Sequence, residues 1–244
     1  VKGFTVYPEQ AVILFELVQD KMRYLMKFSL RTWTEEWMTP VGKNKENLLQ
    51  RAFGGVSFID HEPQFDQDGN MIIGIDDEIY VIDPKDGSPL WNYGAEKKIK
   101  ALVYSPVSNS IYVGIKKSKR LTILDPKTGN DITPGKLKLR GYMIDLVKDD
   151  DTDNLILVET EGFNIIDPKT NDLLWKKSYK MDPLTEVIPN GTDFIAIGKG
   201  EKLGQMERVD ANGKKVWGTK IVGYAYYNSL TDKGVMYIST ERSN

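Results

Sequence analysis

The stretch Val81-Ile82-Asp83-Pro84-Lys85-Asp86-Gly87 returns in altered form at residues 123–129, 165–171 and 208–213. The aspartates of the four copies are separated by 42, 42 and 43 residues, and they are Asp83, Asp125, Asp167 and Asp210. A fixed step of this length is typical of a protein built from one repeated supersecondary unit. The repeat therefore determines the predicted fold.

Short runs rich in β-branched and aromatic residues precede each aspartate, and turn-forming residues bound them, which predicts strands. The runs that align with one another span residues 71–75, 111–115, 155–158, 194–198 and 235–238. Each unit predicts four antiparallel strands in about 42 residues, the size of one β-propeller blade. A long helix is excluded between residues 60 and 240, because turn formers interrupt that region every 8 to 12 residues. A sandwich gives no reason for a fixed repeat.

The repeated motif has a mechanical explanation. The aspartate accepts hydrogen bonds from nearby backbone N–H groups, the proline presets φ in a type I turn, and glycine supplies a left-handed residue. Glycine occupies its position in three copies and Asn171 in the other, and a tryptophan follows in three copies, with Thr133 in the remaining one. We expect the tryptophans to pack between blades, with each indole N–H bonded to a carbonyl. The predicted structural residues, in addition to the aspartates, are Gly87, Gly129, Gly213, Trp91, Trp175 and Trp217.

The pattern Ile-Asp-Pro-Lys-x-Gly-x-x-x-Trp resembles the PQQ-like (quinoprotein-type) β-propeller repeat over about residues 63–240. That family includes quinoprotein dehydrogenases and the propeller lipoprotein of the bacterial outer-membrane barrel-assembly machinery. Residues 105–125 also resemble the YVTN-type repeat. The chain departs from that family in two ways. Many quinoproteins hold the quinone beneath a disulfide between adjacent cysteines, and this chain has no cysteine. Quinoprotein enzymes usually carry alanine two residues before the aspartate, and none of the four copies does. The resemblance implies the architecture rather than the redox chemistry.

The first sixty residues allow two interpretations. Residues 11–37 fit an amphipathic helix, but the strand spacing of residues 4–17 favours a degenerate repeat. In that repeat residues 4–7 form the second strand, residues 12–17 the third and residues 22–30 the fourth, with Met26 at the aspartate position and Trp33 at the tryptophan position. Under that interpretation a polar insertion lies around residues 39–51, as a protruding loop or a short helix, and is a candidate interaction element. We predict a single propeller domain over residues 1–244, with residues 1–60 as the degenerate blade and residues 61–244 as regular repeats.

Composition excludes several classes of function. The 244 residues contain no cysteine and one histidine, His61, so disulfides, thiolate sites and polyhistidine metal centres are excluded. The net charge of −2 argues against a nucleic-acid partner. No apolar run approaches the length that crosses a bilayer.

The remaining candidate sites have simpler interpretations, so we predict no catalytic, cofactor or metal residues. Residues 66–70 and 149–154 are acidic enough for calcium, but each occupies the turn between two predicted strands, and the calcium-loop pattern is incomplete. Residues 116–120 are basic and could bind an anion, although a charge run in a loop is usually solvated surface. His61 beside Glu62 could act as a base, and Glu35 with Glu36 invites comparison with glycosidases, but neither set has a placed partner.

The sequence thus predicts an all-β propeller with five to six visible blades, which could be part of a larger ring because 244 is not a multiple of 42. The leading functional hypothesis is a non-enzymatic binding or scaffold module that recognises a protein or a glycan through its blade loops. The alternatives are a quinoprotein oxidoreductase binding PQQ and calcium, a glycan-active enzyme, and a dimerising sensor domain. The family resemblance implies export in a bacterium, to the periplasm or cell surface.

Overall fold

The structure, a computed structural model, describes residues 1–45, 58–135, 137, 139, 141–181, 184–198, 203–222, 224–230 and 236–241. Every regular element in these ranges is a β-strand. No helix of the described residues is long and apolar enough to cross a membrane. The strands form six antiparallel sheets in two compact units, which are described separately.

The first unit spans Val1–Ile99 and Asp125–Asn130 and contains two four-stranded sheets. In each sheet the strands pair in chain order. The first sheet consists of β1 (Gly3–Tyr7), β2 (Val12–Gln19), β3 (Met22–Ser29) and β4 (Thr34–Lys43). The second consists of β5 (Gln64–Phe65), β6 (Met71–Ile75), β7 (Glu78–Ile82) and β8 (Pro89–Gly94).

The second unit spans Lys100–Leu124 and Asp131–Asn244 and continues the series. A three-stranded sheet holds β9 (Ile99–Ser105, whose first residue belongs to the first unit), β10 (Ser110–Ile115) and β11 (Leu121–Leu124). The next holds β12 (Met143–Lys148), β13 (Leu155–Glu159), β14 (Gly162–Asp167), β15 (Asp172–Leu173) and β16 (Tyr179–Lys180). The last two hold β17 (Leu184–Asn190), β18 (Asp193–Gly198), β19 (Leu203–Val209) and β20 (Lys215–Val222), then β21 (Tyr224–Leu230) and β22 (Met236–Glu241).

Each unit has its own apolar core, formed by the central strands of its sheets. In the first unit Leu14 and Leu25 of the first sheet pack with Ile73 and Ile82 of the second. In the second unit Phe163 joins the core, and its ring lies 5.2 Å from that of Trp175 and 5.8 Å from that of Phe194. The central strands β6, β10, β13 and β14 are buried along almost their whole length, as expected for strands covered on both faces.

The predicted all-β class is confirmed, and the helical alternative for residues 11–37 is wrong because that region forms β2, β3 and part of β4. The alignment of the first repeat was also wrong. Ser29, not Met26, holds the aspartate position, since its hydroxyl accepts hydrogen bonds from the Arg31 and Thr32 backbone N–H groups. Trp37, eight residues later, holds the tryptophan position.

The structure also changes the limits of the first repeat. Phe4 to Tyr7 belong to the first strand of the sheet, not to the second as the sequence alignment had them. Thr39 to Lys43 lie in β4, so the predicted polar insertion begins after them. From Ser29 to Asp83 there are 54 residues, 12 more than the usual step of 42. The part of the predicted insertion from residue 46 onward lies outside the described residues.

Candidate functional site

The repeated aspartates lie where the third strand ends in four of the six sheets. Their carboxylates accept hydrogen bonds from backbone N–H groups of the same turn, from Lys85 at 2.8 Å, Lys127 at 2.7 Å, Lys169 at 2.9 Å and Asn212 at 2.9 Å. The aspartate carbonyl also accepts a hydrogen bond from the backbone N–H four residues later in the first three copies, and from that of Gly213, three residues later, in the fourth. These carboxylates are therefore engaged in holding the turn.

Three tryptophans of the repeat pack on the turn of the following repeat. The indole N–H groups of Trp37, Trp91 and Trp175 donate to the carbonyls of Pro84, Pro126 and Ala211 at 3.0, 2.7 and 2.9 Å. The same rings cover the turn glycines, at φ +75° for Gly87, +71° for Gly129 and +77° for Gly213. A Cβ at these glycines would lie within 2.6–2.9 Å of the tryptophan ring. Glycine is thus required twice, by the left-handed backbone and by the ring above it.

The exception in the sequence follows the same rule. Thr133 replaces the tryptophan in the third repeat, and the turn of the fourth repeat carries Asn171 (φ +58°) instead of glycine. Tyr112 of β10 takes over the contact, because its hydroxyl donates to the Asn171 side-chain oxygen at 2.6 Å and lies 3.4 Å from the Pro168 carbonyl. Burial raises the pKa of the Tyr112 hydroxyl, so it stays a donor. A side chain is accommodated in this turn because no indole covers it.

Trp217 belongs to β20 and lies opposite Arg208, and 39% of its surface is exposed. Trp33 occupies the position of the turn glycine in the first repeat, at φ +57° and 73% exposed. Both side chains are exposed to solvent, whereas Trp37 and Trp175 are buried.

The other side chains considered from the sequence are distributed over separate places. The Asp66 and Asp149 carboxylates accept hydrogen bonds from their own turns, from the backbone N–H groups of Asp68 and Asp151. No group of three or more acidic or histidine side chains among the described residues has metal-binding geometry. In the basic run, Arg120 pairs with Asp131 at 3.0 Å. Both acidic turns meet a repeat motif. Asp68 pairs with Lys127 at 3.6 Å, and Asp153 lines a cavity together with Asp167 and Lys169.

Of the two adjacent glutamates Glu35 and Glu36, Glu36 lines a pocket and Glu35 does not. It pairs with Lys27 at 2.8 Å, and the hydrogen bond from Lys27 lowers the pKa of this carboxyl despite partial desolvation. Glu35 lies opposite Phe28 on the neighbouring strand. The two carboxylates therefore lack the common environment that a glycosidase pair needs.

The outer face of the first sheet is largely apolar and partly exposed. The strand register places Phe4, Phe15, Met26 and Met38 directly opposite one another across all four strands, and Val6, Ile13, Phe28 and Glu35 in the adjacent row. We call the seven apolar residues of these two rows the outer face. The rings of Phe4, Phe15, Phe28 and Trp33 follow one another at 6.2, 6.2 and 6.4 Å between centroids. Phe4 is 63% exposed. The sequence analysis missed this face because it assigned the wrong strands to residues 1–43.

The opposite face of the same sheet borders a pocket of about 480 Å³ in the first unit. The turns β1–β2, β3–β4 and β7–β8 contribute residues to its edge, and apolar side chains of both sheets form its walls. A volume of this order suits a small molecule or a few residues of peptide.

No family model matches the sequence, and no curated protein matches it either. Solved structures do resemble it. BamB from Moraxella catarrhalis has a TM-score of 0.59 at 14% identity, covering 99% of this chain and 74% of that one. The dihydro-heme d1 dehydrogenase NirN in complex with DHE has a TM-score of 0.64 at 16% identity, covering 98% of this chain and 50% of that one. The WD40 domain of Neurospora crassa Pan2 has a TM-score of 0.60 at 12% identity, covering 98% and 72%. At such identities the likeness concerns the fold, and the chain has the β-propeller fold.

Proposed function

We propose that this chain is a non-enzymatic binding module, built from blades of the PQQ-like type, that holds a protein partner through the outer face of its first sheet and the adjoining Trp33 turn. The single observation that carries the proposal is the continuous aromatic row from Phe4 to Trp33, whose two ends are 63% and 73% exposed. Contiguous exposed apolar surface of this kind marks protein interaction sites in other proteins, and tryptophan is enriched where binding energy concentrates.

The position of Trp33 favours a separate protein partner, and not the tryptophan of another blade, as the group that covers this turn. In the repeats with a covering indole, the ring packs on a turn glycine that leaves no room for a Cβ. At the equivalent position the first sheet carries Trp33, whose own Cβ and ring occupy that space. A blade tryptophan could not pack there in the way that Trp37 packs on Gly87.

The turn geometry favours binding over catalysis. The repeated aspartates use their carboxylates on their own backbone, which leaves them unsuited to act as general acids or nucleophiles. A protein partner is preferred to a glycan because the outer face consists of aliphatic, methionine and phenylalanine side chains with few hydrogen-bonding groups. By the resemblance of the repeats, export to the bacterial periplasm or cell surface belongs to the same proposal.

The test is chemical cross-linking of the tagged chain in an extract of its source organism, with identification by mass spectrometry. Two variants remove the aromatic row, Phe4→Ser and Trp33→Gly. Leu174→Ser is the control, since Leu174 is 52% exposed and lies in the second unit. We expect one protein to be cross-linked by the wild type and by the control and to be lost with both aromatic variants.

Three results would overturn the proposal. A sub-micromolar dissociation constant for pyrroloquinoline quinone with calcium, measured from the absorption spectrum, would favour an oxidoreductase. Glycan binding that Trp33→Gly abolishes would replace the protein partner by a carbohydrate. A dimer seen by light scattering that Trp33→Gly dissociates would assign the outer face to a second copy of the chain.

A further inference from the structure

The pocket of about 480 Å³ in the first unit lies on the side of the first sheet opposite the outer face. Its walls are apolar and come from both sheets of that unit, with side chains of Val12, Leu14, Trp37, Phe65 and Met71. Leu14, Trp37 and Met71 are buried, and Trp37 is held by its bond to the Pro84 carbonyl. The walls therefore form a fixed apolar surface that suits the hydrocarbon part of a ligand.

Cations surround the mouth of this pocket. Lys27, Arg31 and Lys85 line it, against one acidic residue, Glu36. Lys27 already has partners within the protein, since its ammonium donates to the Pro84 carbonyl at 2.9 Å and pairs with Glu36 at 2.8 Å. Within the described part of the chain, the Arg31 guanidinium and the Lys85 ammonium make no hydrogen bond or ion pair. These two cations are therefore available to pair with an anionic group of a ligand. Their attraction would add to the binding free energy gained by burying an apolar group in the pocket.

A further polar group lies in the pocket wall. The Tyr7 hydroxyl is buried and has no hydrogen-bond partner among the described residues. Burial, with a smaller contribution from Glu62, raises the pKa of this hydroxyl to about 12, so it carries its proton at neutral pH. A buried donor without an acceptor is costly for a folded protein and is commonly satisfied by a ligand or an ordered water.

We propose that this pocket binds an apolar molecule that carries a carboxylate, with the hydrocarbon part between the two sheets and the carboxylate at Arg31 and Lys85. The Tyr7 hydroxyl supplies a neutral donor to an oxygen atom of the same ligand. Such a carboxylate belongs either to a free acid with an alkyl chain or to the C-terminus of a peptide that ends in a large apolar residue. This inference is independent of the protein partner proposed above, because the two surfaces lie on opposite faces of the first sheet.

The test is isothermal titration calorimetry of the purified chain with two pairs of probes. One pair is decanoate and decanamide, and the other is an acetylated tetrapeptide ending in phenylalanine, with a free C-terminus or with a C-terminal amide. We expect the carboxylate member of at least one pair to bind about tenfold more tightly than its amide, as for one charge-assisted hydrogen bond. The pair that binds identifies the source of the carboxylate.

Variants locate the binding. Arg31→Gln removes one unpaired cation from an exposed position, and we expect it to weaken the carboxylate about tenfold while leaving the amide unchanged. Lys97→Gln is the control, since Lys97 is exposed in the same unit and does not line the pocket. Tyr7→Phe should weaken both members of the pair. Equal binding of carboxylate and amide, no binding of either pair, or equal effects of Arg31→Gln and Lys97→Gln would overturn the proposal.

Discussion

Replacing Gly129 by alanine tests the contact that joins each tryptophan to the next turn. Gly129 has φ +71°, and a Cβ added there would lie 2.7 Å from Cε3 and 3.0 Å from Cδ2 of Trp91. The indole cannot retreat freely, because its N–H donates to the Pro126 carbonyl of the same turn at 2.7 Å. The methyl group must therefore displace either the ring or the backbone.

The expected loss of stability has two parts. Holding alanine in the left-handed region costs about 1–2 kcal/mol. Forcing a methyl group into a filled contact costs about 1–3 kcal/mol more. Gly69→Ala isolates the first part, because Gly69 has φ +83° and nothing within 4 Å of an added Cβ. Both glycines belong to the first compact unit.

The assay is urea unfolding followed by circular dichroism, with the wild type and both variants measured together. We expect Gly129→Ala to lose about 1–3 kcal/mol more unfolding free energy than Gly69→Ala, with similar denaturant slopes. If the two variants lose the same amount, the tryptophan does not constrain the glycine, and the reasoning about the repeat is refuted.

Three further predictions concern single side chains. Trp33→Gly should change the free energy of unfolding by less than about 1 kcal/mol, because glycine relieves the strain of the left-handed backbone and this gain offsets the lost contact with Phe28. A larger loss in thermal unfolding would show that the Trp33 ring stabilises the fold. Tyr112→Phe should lower the free energy of unfolding by about 1–2 kcal/mol in the wild type and by much less in an Asn171→Ala background. Equal losses in the two backgrounds would contradict the claim that the Tyr112–Asn171 contact replaces the missing tryptophan. For Glu207, desolvation raises the carboxyl pKa but hydrogen bonds from Lys215, Tyr179 and Gln205 outweigh it, so the pKa is lowered. Its stabilisation is then present above the ordinary glutamate value of about 4.3 and is lost as the pH falls further, so an acid titration of stability should be flatter for Glu207→Gln than for the wild type.

The regular repeats could be predicted because their signal is local. Asp83, Asp125 and Asp167 each begin a turn whose residues fix its conformation without help from the rest of the chain. The strands before these turns are short apolar runs that end at the same positions relative to the aspartates, so their pairing follows from the step of 42 residues. The fold class depended on nothing more distant than one blade.

The first repeat was misaligned because two of its marker residues are replaced. Ser29 substitutes for the aspartate by offering a hydroxyl as acceptor, which the motif search could not distinguish from any other serine. Trp33 occupies the glycine position, and it lies four residues before Trp37, which holds the tryptophan position of the repeat. Only the strand register resolves this ambiguity.

The third repeat shows what local reasoning could not reach. Thr133 in place of tryptophan and Asn171 in place of glycine looked like two separate departures. They are one, since the ring of a tryptophan at the first position is what forbids a side chain at the second. Tyr112, which replaces the lost contact, lies on a different strand and has no sequence signature.

The candidate sites were less accessible to sequence reasoning than the fold. The outer face requires the register of four strands, and the pocket requires the packing of two sheets, so neither has a linear motif. A regular alternation in residues 12–18 is obscured because the chain is apolar on both faces there. Arg31 and Lys85 come together from turns that are 54 residues apart.

Site-specific photo-cross-linking tests the central claim, that the outer face of the first sheet binds a protein. Benzoylphenylalanine is introduced in place of Phe4, and in a matched experiment in place of Leu90, an exposed residue of β8. Irradiation in an extract of the source organism should produce one discrete protein adduct at position 4 and none at position 90. The same adduct at both positions, or an adduct at position 90 alone, would contradict the account.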